Sequence, residues 1–396
     1  MLSHQESYNS HKVKLITFIS FLYGFELAME AYILAFYYQS AIHSEKVTIF
    51  FFGSYVVFLF ALLSLHKLVK KIGKSFSLTF FATMKIVILV CLSALWSTPS
   101  VPGAIALALF VVFSNLSWVM LDVMLESFSA DSLSGRIRGL FLTIANTGFI
   151  LGPFLSFKVL ENNGYGGIFL ILLAIEFIIF VFIVASLQNI NHAHSRKGSI
   201  MELMKLVWSR RDVLKVYYIA FILDFFYSTM IIYSPMYLTN LGLTLNEISV
   251  IFTIMLVPFI VLQYPAGRLA DKKYGEKKML IFSFLIMTIS VGAIYFISSK
   301  SVLIWSIVLF ATRIGAALVE VLRDSYFYKR IDGQDVEIID FFRTSKPIAY
   351  IVFSLFSFFL LSLKLGIGIV FLLLAAISAT GIWISFKLEE NSVSKK

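Results

Sequence analysis

Eight carboxylates stand inside long apolar runs of this chain: Glu26, Glu30, Asp122, Glu126, Glu176, Asp224, Glu320 and Asp324. Glu26 and Glu30 are four residues apart, which sets both on one face of a helix. Two carboxylates that close in a low dielectric cannot both ionise cheaply, so one holds a proton near working pH. Such a pair suits loading and release of a proton as access alternates between the two sides of a barrier. Binding of a cationic ligand and an ion pair with Lys85 are the other chemistries open to it. Asp224, with Tyr227 close by, suits either a polar cavity or a pair with Arg313, and Asn115 and Arg313 are the next polar groups deep in such runs. Asp122, Glu126, Glu320 and Asp324 lie toward run ends. For Glu126 and Asp324 the spacing favours gate-type salt bridges with Arg136, Arg138, Arg323 or Arg343.

Other chemistry is missing from the pattern. The chain has no G-x-x-x-x-G-K-[ST] phosphate loop, no H-E-x-x-H and no G-x-S-x-G. Cys91 is its one cysteine, and the six histidines fall in tails, loops and run ends. The expectation is a non-enzyme with no metal and no cofactor.

The elements that carry these acids follow from composition. Of 396 residues, 59% are hydrophobic and 14% charged, against about 25% charged in a soluble domain. The surplus apolar surface must face lipid. A bilayer core needs about 20 apolar residues in a helix. Runs of that length are predicted at 13–38, 47–66, 75–97, 103–128, 137–159, 167–187, 213–239, 246–266, 277–297, 302–327, 340–363 and 365–388. The predicted fold is therefore an all-α integral membrane protein with twelve transmembrane helices.

Basic residues orient it. With the amino terminus inside, 24 of the 33 Lys and Arg residues fall in cytoplasmic segments. Only Lys46, Lys158, Lys300 and Lys364 fall outside, and the remaining five lie within spans. This bias predicts both termini in the cytoplasm. It also accounts for the net charge of +10 without nucleic acid. The predicted organisation is a six-helix bundle over 1–187, a cytoplasmic linker over 188–212 and a second bundle over 213–396. Within the linker, Ser199 and Glu202 open an amphipathic helix with a capping-box start.

The halves repeat. LDVMLESF (121–128) aligns with VEVLRDSY (319–326) at an offset of 198, and VKKIGK (69–74) parallels DKKYGE (271–276) at 202. Each half begins and ends inside, so the copies repeat in parallel about an axis normal to the membrane. That arrangement places a substrate site between the halves near the bilayer midplane.

With six-plus-six spans and a long middle loop, GRLADKKYGEKK (267–278) resembles the G-x-L-A-D-[RK]-x-G-[RK]-[RK] signature of the major facilitator superfamily. Gly267, Asp271 and Gly275 match its defining positions. One extra residue separates Asp271 from Gly275, and Glu276 replaces a basic residue. Gly148, Gly152 and Pro153 are similar to the G-x-x-x-G-P core of the family's antiporter motif, without its following glycines. Asn115 stands where drug–proton antiporters carry an arginine, and its repeat mate is Arg313.

The resemblance implies the major facilitator fold, with helices 1, 4, 7 and 10 lining a cavity, and a drug–proton antiporter-like branch. It also implies that Asp271 steadies an inner gate against the start of helix 5 near Arg138. The expected function is proton-coupled efflux of small amphipathic or cationic compounds across the cytoplasmic membrane, by a monomer. Proton-linked uptake of a metabolite is the same-class alternative, and a non-transporting scaffold or channel the alternative of another class.

Overall fold

The structure is a computed structural model that describes residues 10–128, 134–187, 208, 210–330 and 336–389. The predicted linker helix lies outside these residues. Two compact units form, Met1–Ser195 and Arg196–Lys396. Among the described residues there is no strand.

The first unit holds α1 (Ser10–Ala31), α2 (Leu34–Ile42), α3 (Thr48–Ile72), α4 (Lys74–Leu95), α5 (Val101–Phe128) and α6 (Ser134–Ser186). α1 packs mainly on α6, and α4 packs on both α5 and α6. α6 is interrupted at Gly164 (φ 65, ψ −167) and therefore holds two of the expected spans. Among the described residues, eleven stretches are long and apolar enough to cross a bilayer. With the long one counted as two, the twelve-helix, all-α membrane fold stands. The expected span at 13–38 falls within one of these, Ser10–Ile42, which contains a turn. The Ile33 N–H turns back to the Glu30 carbonyl at 3.1 Å, ending α1 and starting α2.

The second unit holds α7 (Arg211–Asn240), α8 (Leu245–Val261), α9 (Gln263–Leu269), α10 (Glu276–Phe296), α11 (Val302–Tyr328), α12 (Val336–Phe342), α13 (Ser345–Ser362) and α14 (Gly368–Phe386). α11 packs on α10, α8 and α7, and α14 closes against α10 and α7.

Both units are apolar outside and polar within. Phe60, Phe76, Phe177, Phe296 and Leu303 are exposed, while Glu26, Lys85, Glu176 and Arg313 are buried. Lipid cannot satisfy a polar atom, so hydroxyls within the helices turn to their own backbone. Thr17 donates to the Val13 carbonyl, Ser54 to Phe50, Ser93 to Leu89 and Ser290 to Ile286, each four residues back.

The repeat is visible in the backbone. Gly73 (φ 85, ψ 164) starts α4 and Gly275 (φ 73, ψ 154) starts α10, 202 residues later. Only glycine occupies that region without strain. The extra residue between Asp271 and Gly275 is absorbed in a π turn, Ala270–Tyr274, closed by Gly275 N–H to the Ala270 carbonyl at 3.0 Å. Replacing Gly275 by alanine is expected to cost about 1–3 kcal/mol of strain, seen as a lower midpoint of thermal unfolding in detergent. An unchanged midpoint would show that the turn relaxes freely.

Candidate functional site

In the first unit the deep carboxylates are organised by a lysine. Lys85 on α4 points its ammonium between α1 and the second half of α6. It donates to Glu26 Oε2 at 2.7 Å and Glu176 Oε2 at 2.6 Å. All three side chains are essentially inaccessible to solvent. The ammonium also sits 4.4 Å from the Tyr23 ring centroid and 5.5 Å from that of Phe110, a cation–π cage. Each carboxylate leaves its Oε1 without a hydrogen-bond partner.

Charge counting is informative here. Two carboxylates and one ammonium sum to −1, and one proton brings the cluster to neutrality. A dry apolar bundle favours that neutral state, because isolated buried charge costs several kcal/mol.

The predicted Glu26–Glu30 unit is therefore arranged differently. Of the three chemistries open to Glu26, the structure contains the ion pair with Lys85. Glu30 turns to α5, accepting from Ser114 Oγ at 3.5 Å. Asn115 beside it spends its Nδ2 on the Val111 carbonyl at 2.8 Å. Asp122 is buried two turns further along α5. The side chains of Glu126, Arg136 and Arg138 lie outside the described ones.

Glu176 was visible in the sequence as a buried acid, but only tertiary packing makes it a partner of Glu26. Nothing in the spacing of α1, α4 and α6 brings these three residues together.

In the second unit the acids gather around Arg323 on α11. Arg323 pairs with Asp324 at 2.8 Å and lies in the field of Asp224 and Glu320. Asp224 on α7 is buried and accepts from Ser345 Oγ of α13 at 2.7 Å. Glu320 accepts from Gln263 Nε2 of α9 at 2.8 Å and interacts with the Tyr227 hydroxyl. Asp324 thus finds one of its predicted partners, and Asp224 takes Ser345 where Arg313 was one option. Ser345 and Gln263 carried no signal, since most serines in these helices serve their own backbone. Arg343 follows α12, half-buried, its N–H bonded to the Ile339 carbonyl at 3.1 Å.

At one end of each unit the repeat builds the same contact with different charge. Lys74, first residue of α4, donates to Ser127 Oγ at 2.7 Å. Its counterpart Glu276, first residue of α10, accepts from Ser325 Oγ at 2.9 Å. Lys329 completes the second version by pairing with Asp271 at 2.6 Å and with Glu276. Partial burial works against the Lys329 charge, but the hydrogen bonds to these two carboxylates outweigh it and hold the ammonium above its ordinary pKa. Asp271, expected against the start of helix 5, is thus engaged by Lys329 of its own unit. Gly267 faces Val321 on α11, 3.7 Å from where a Cβ would stand.

The Gly148–Pro153 segment is the seam between α1 and α6. A Cβ at Gly148 would overlap the Phe21 carbonyl oxygen, and one at Gly152 the Ala28 methyl. Gly24, not singled out in the sequence, faces the Ala145 carbonyl in the same way. Two helices meet backbone to backbone through three glycines, a mode of packing open to small residues in lipid. Pro153 lies within the same helix.

Residues 216–396 match the family profile described as Major Facilitator Superfamily. No curated protein matches the chain. Among solved structures, the POT family transporter PepTSo is similar at 13% identity and TM-score 0.74, covering 96% of this chain and 97% of that one. The nucleoside transporter NupG, solved as a mutant, is similar at 12% identity and TM-score 0.74, covering 95% and 99%. The chain is thus a multi-pass membrane protein whose residues 216–396 resemble the Major Facilitator Superfamily and whose fold is similar to that of these transporters.

Proposed function

We propose that this chain is a secondary active transporter that couples movement of a small amphipathic solute to protons by alternating access, in the manner of a drug–proton antiporter working toward efflux. The observation that carries the reading is the Glu26–Lys85–Glu176 cluster, which is electrically neutral only with one proton aboard. A group that must take up a proton to become neutral in a dry bundle, and release it when water enters, is what coupling requires. The proton site is assigned to Glu26 and Glu176; Glu30, Asn115 and Asp122 in the first unit, and Asp224, Arg313 and Glu320 in the second, are each assigned as polar groups for the solute. The residues around Asp271, Asp324 and Lys329 brace the helix ends that must move. The basic bias of the loops supports a cytoplasmic-membrane protein with both termini inside.

A second reading, proton-linked uptake of a metabolite, is favoured by the buried cation Arg313, which suits an acidic solute better than a cationic one. One experiment separates the two. Purified protein in liposomes with an internal pH dye is offered a panel of amphipathic cations, acids and neutral compounds. Efflux-type exchange moves protons against the compound, and uptake moves them with it. Glu26→Gln and Glu176→Gln are expected to leave compound movement largely independent of the pH gradient. Wild-type flux that ignores the gradient would falsify coupling.

A further inference from the structure

We infer that Arg313 is the receptor for an anionic group on the transported solute, a carboxylate, phosphonate or sulfonate. The inference rests on the transporter reading and narrows its substrate class.

Arg313 lies in the middle of α11, 1% exposed. Its Nη1 is buried with no hydrogen-bond partner, and among the described residues no carboxylate pairs with it. The Phe226 ring of α7 lies 4.9 Å from its guanidinium carbon. A ring face orients a guanidinium but does not cancel its charge.

Among the described residues, three other buried or half-buried cations each have at least one carboxylate. Lys85 has Glu26 and Glu176, Arg323 has Asp324, and Lys329 has Asp271 and Glu276. Glu320, the acid on the same face of α11, lies seven residues along, about 10 Å at the helical rise, and is occupied by Gln263 and Tyr227. A buried guanidinium left without a counter-ion is strongly unfavourable. It becomes favourable when an acid brings two oxygens to its planar fork of N–H donors. Stability given up at one residue in this way marks a site kept for a ligand.

The test uses the full chain in lipid nanodiscs and reads the midpoint of thermal unfolding. Probes are sodium benzoate, phenylphosphonate and octanesulfonate, with benzamide as the neutral match for benzoate and benzylammonium as the cation. At least one acid is expected to raise the midpoint in a saturable way, while benzamide and benzylammonium do not. Arg313→Met is expected to raise the midpoint of the ligand-free protein, since it removes the uncompensated charge, and to abolish the response to acids. Arg313→Lys, which keeps the charge but loses the fork, should bind about tenfold to a hundredfold more weakly.

A wild-type protein indifferent to all three acids, or an Arg313→Met protein that still responds, overturns the assignment. So does a response to benzamide equal to that of benzoate. Binding is read without transport, so acids that bind while liposomes show no flux would sink the transporter reading alone. Flux without acid preference would sink this inference alone.

Discussion

Lys85→Met is expected to be the most damaging single substitution that leaves packing volume nearly unchanged. It would remove the only ammonium between two buried carboxylates whose outer oxygens already lack hydrogen-bond partners. Breaking a buried ion pair from one side costs about 3–5 kcal/mol, a large part of the roughly 5–15 kcal/mol that holds a domain together. The protein should express poorly and unfold at a clearly lower temperature in detergent.

The neutral triple variant Glu26→Gln, Lys85→Met, Glu176→Gln is the informative companion. Replacing a whole buried cluster by uncharged groups is often neutral or stabilising, so this variant should recover most of the lost stability. If the cluster is also the coupling site, the recovered protein should move solute without moving protons. A Lys85→Met protein as stable as the wild type would show that the carboxylates do not depend on the lysine.

This cluster also shows where sequence reasoning reached and where it stopped. Helix number and the all-α class were legible because apolar length and burial in lipid are local properties. The repeat was legible because LDVMLESF and VKKIGK recur about 200 residues later as VEVLRDSY and DKKYGE, and the second pair keeps a glycine with positive φ in both copies, Gly73 and Gly275. The Lys85 partner for Glu26 was one option among several. Glu176 stands in a run outside helices 1, 4, 7 and 10, the helices that the resemblance puts on the cavity. Its role depends on how α6 returns past α1 after the break at Gly164, which no local period records.

Ser345 illustrates a different limit. In sequence it is one more serine at the start of an apolar run, and only the structure shows that its hydroxyl reaches Asp224 on another helix. The extra residue in the 267–278 loop was noticed as a departure, and its accommodation by a π turn follows from backbone geometry that spacing cannot reveal.

The α1–α6 seam supports the second large prediction. Gly24, Gly148 and Gly152 each face backbone or a fixed methyl of the opposite helix rather than the end of a flexible side chain. A side chain there cannot be absorbed by a rotamer change, so the helices must separate. Gly148→Val puts a Cβ against the Phe21 carbonyl and the Phe25 backbone nitrogen and adds two methyls beyond it. Overpacking in a tight core usually costs about 1–3 kcal/mol, and a clash with backbone belongs at or above the top of that range.

Separation of α1 from α6 carries a second consequence, because α1 holds Glu26 and α6 holds Glu176. Moving one helix relative to the other stretches the ion pairs at Lys85. Gly148→Val should therefore lose thermal stability and, if the cluster is the proposed coupling site, proton coupling as well, whereas Gly53→Val, at a position with open space around it, should lose neither. Gly148→Ala, with one methyl, should fall between them. If Gly148→Val unfolds at the wild-type temperature and still couples solute to protons, the close approach is not what positions the cluster, and the carboxylates must be held by α4 alone.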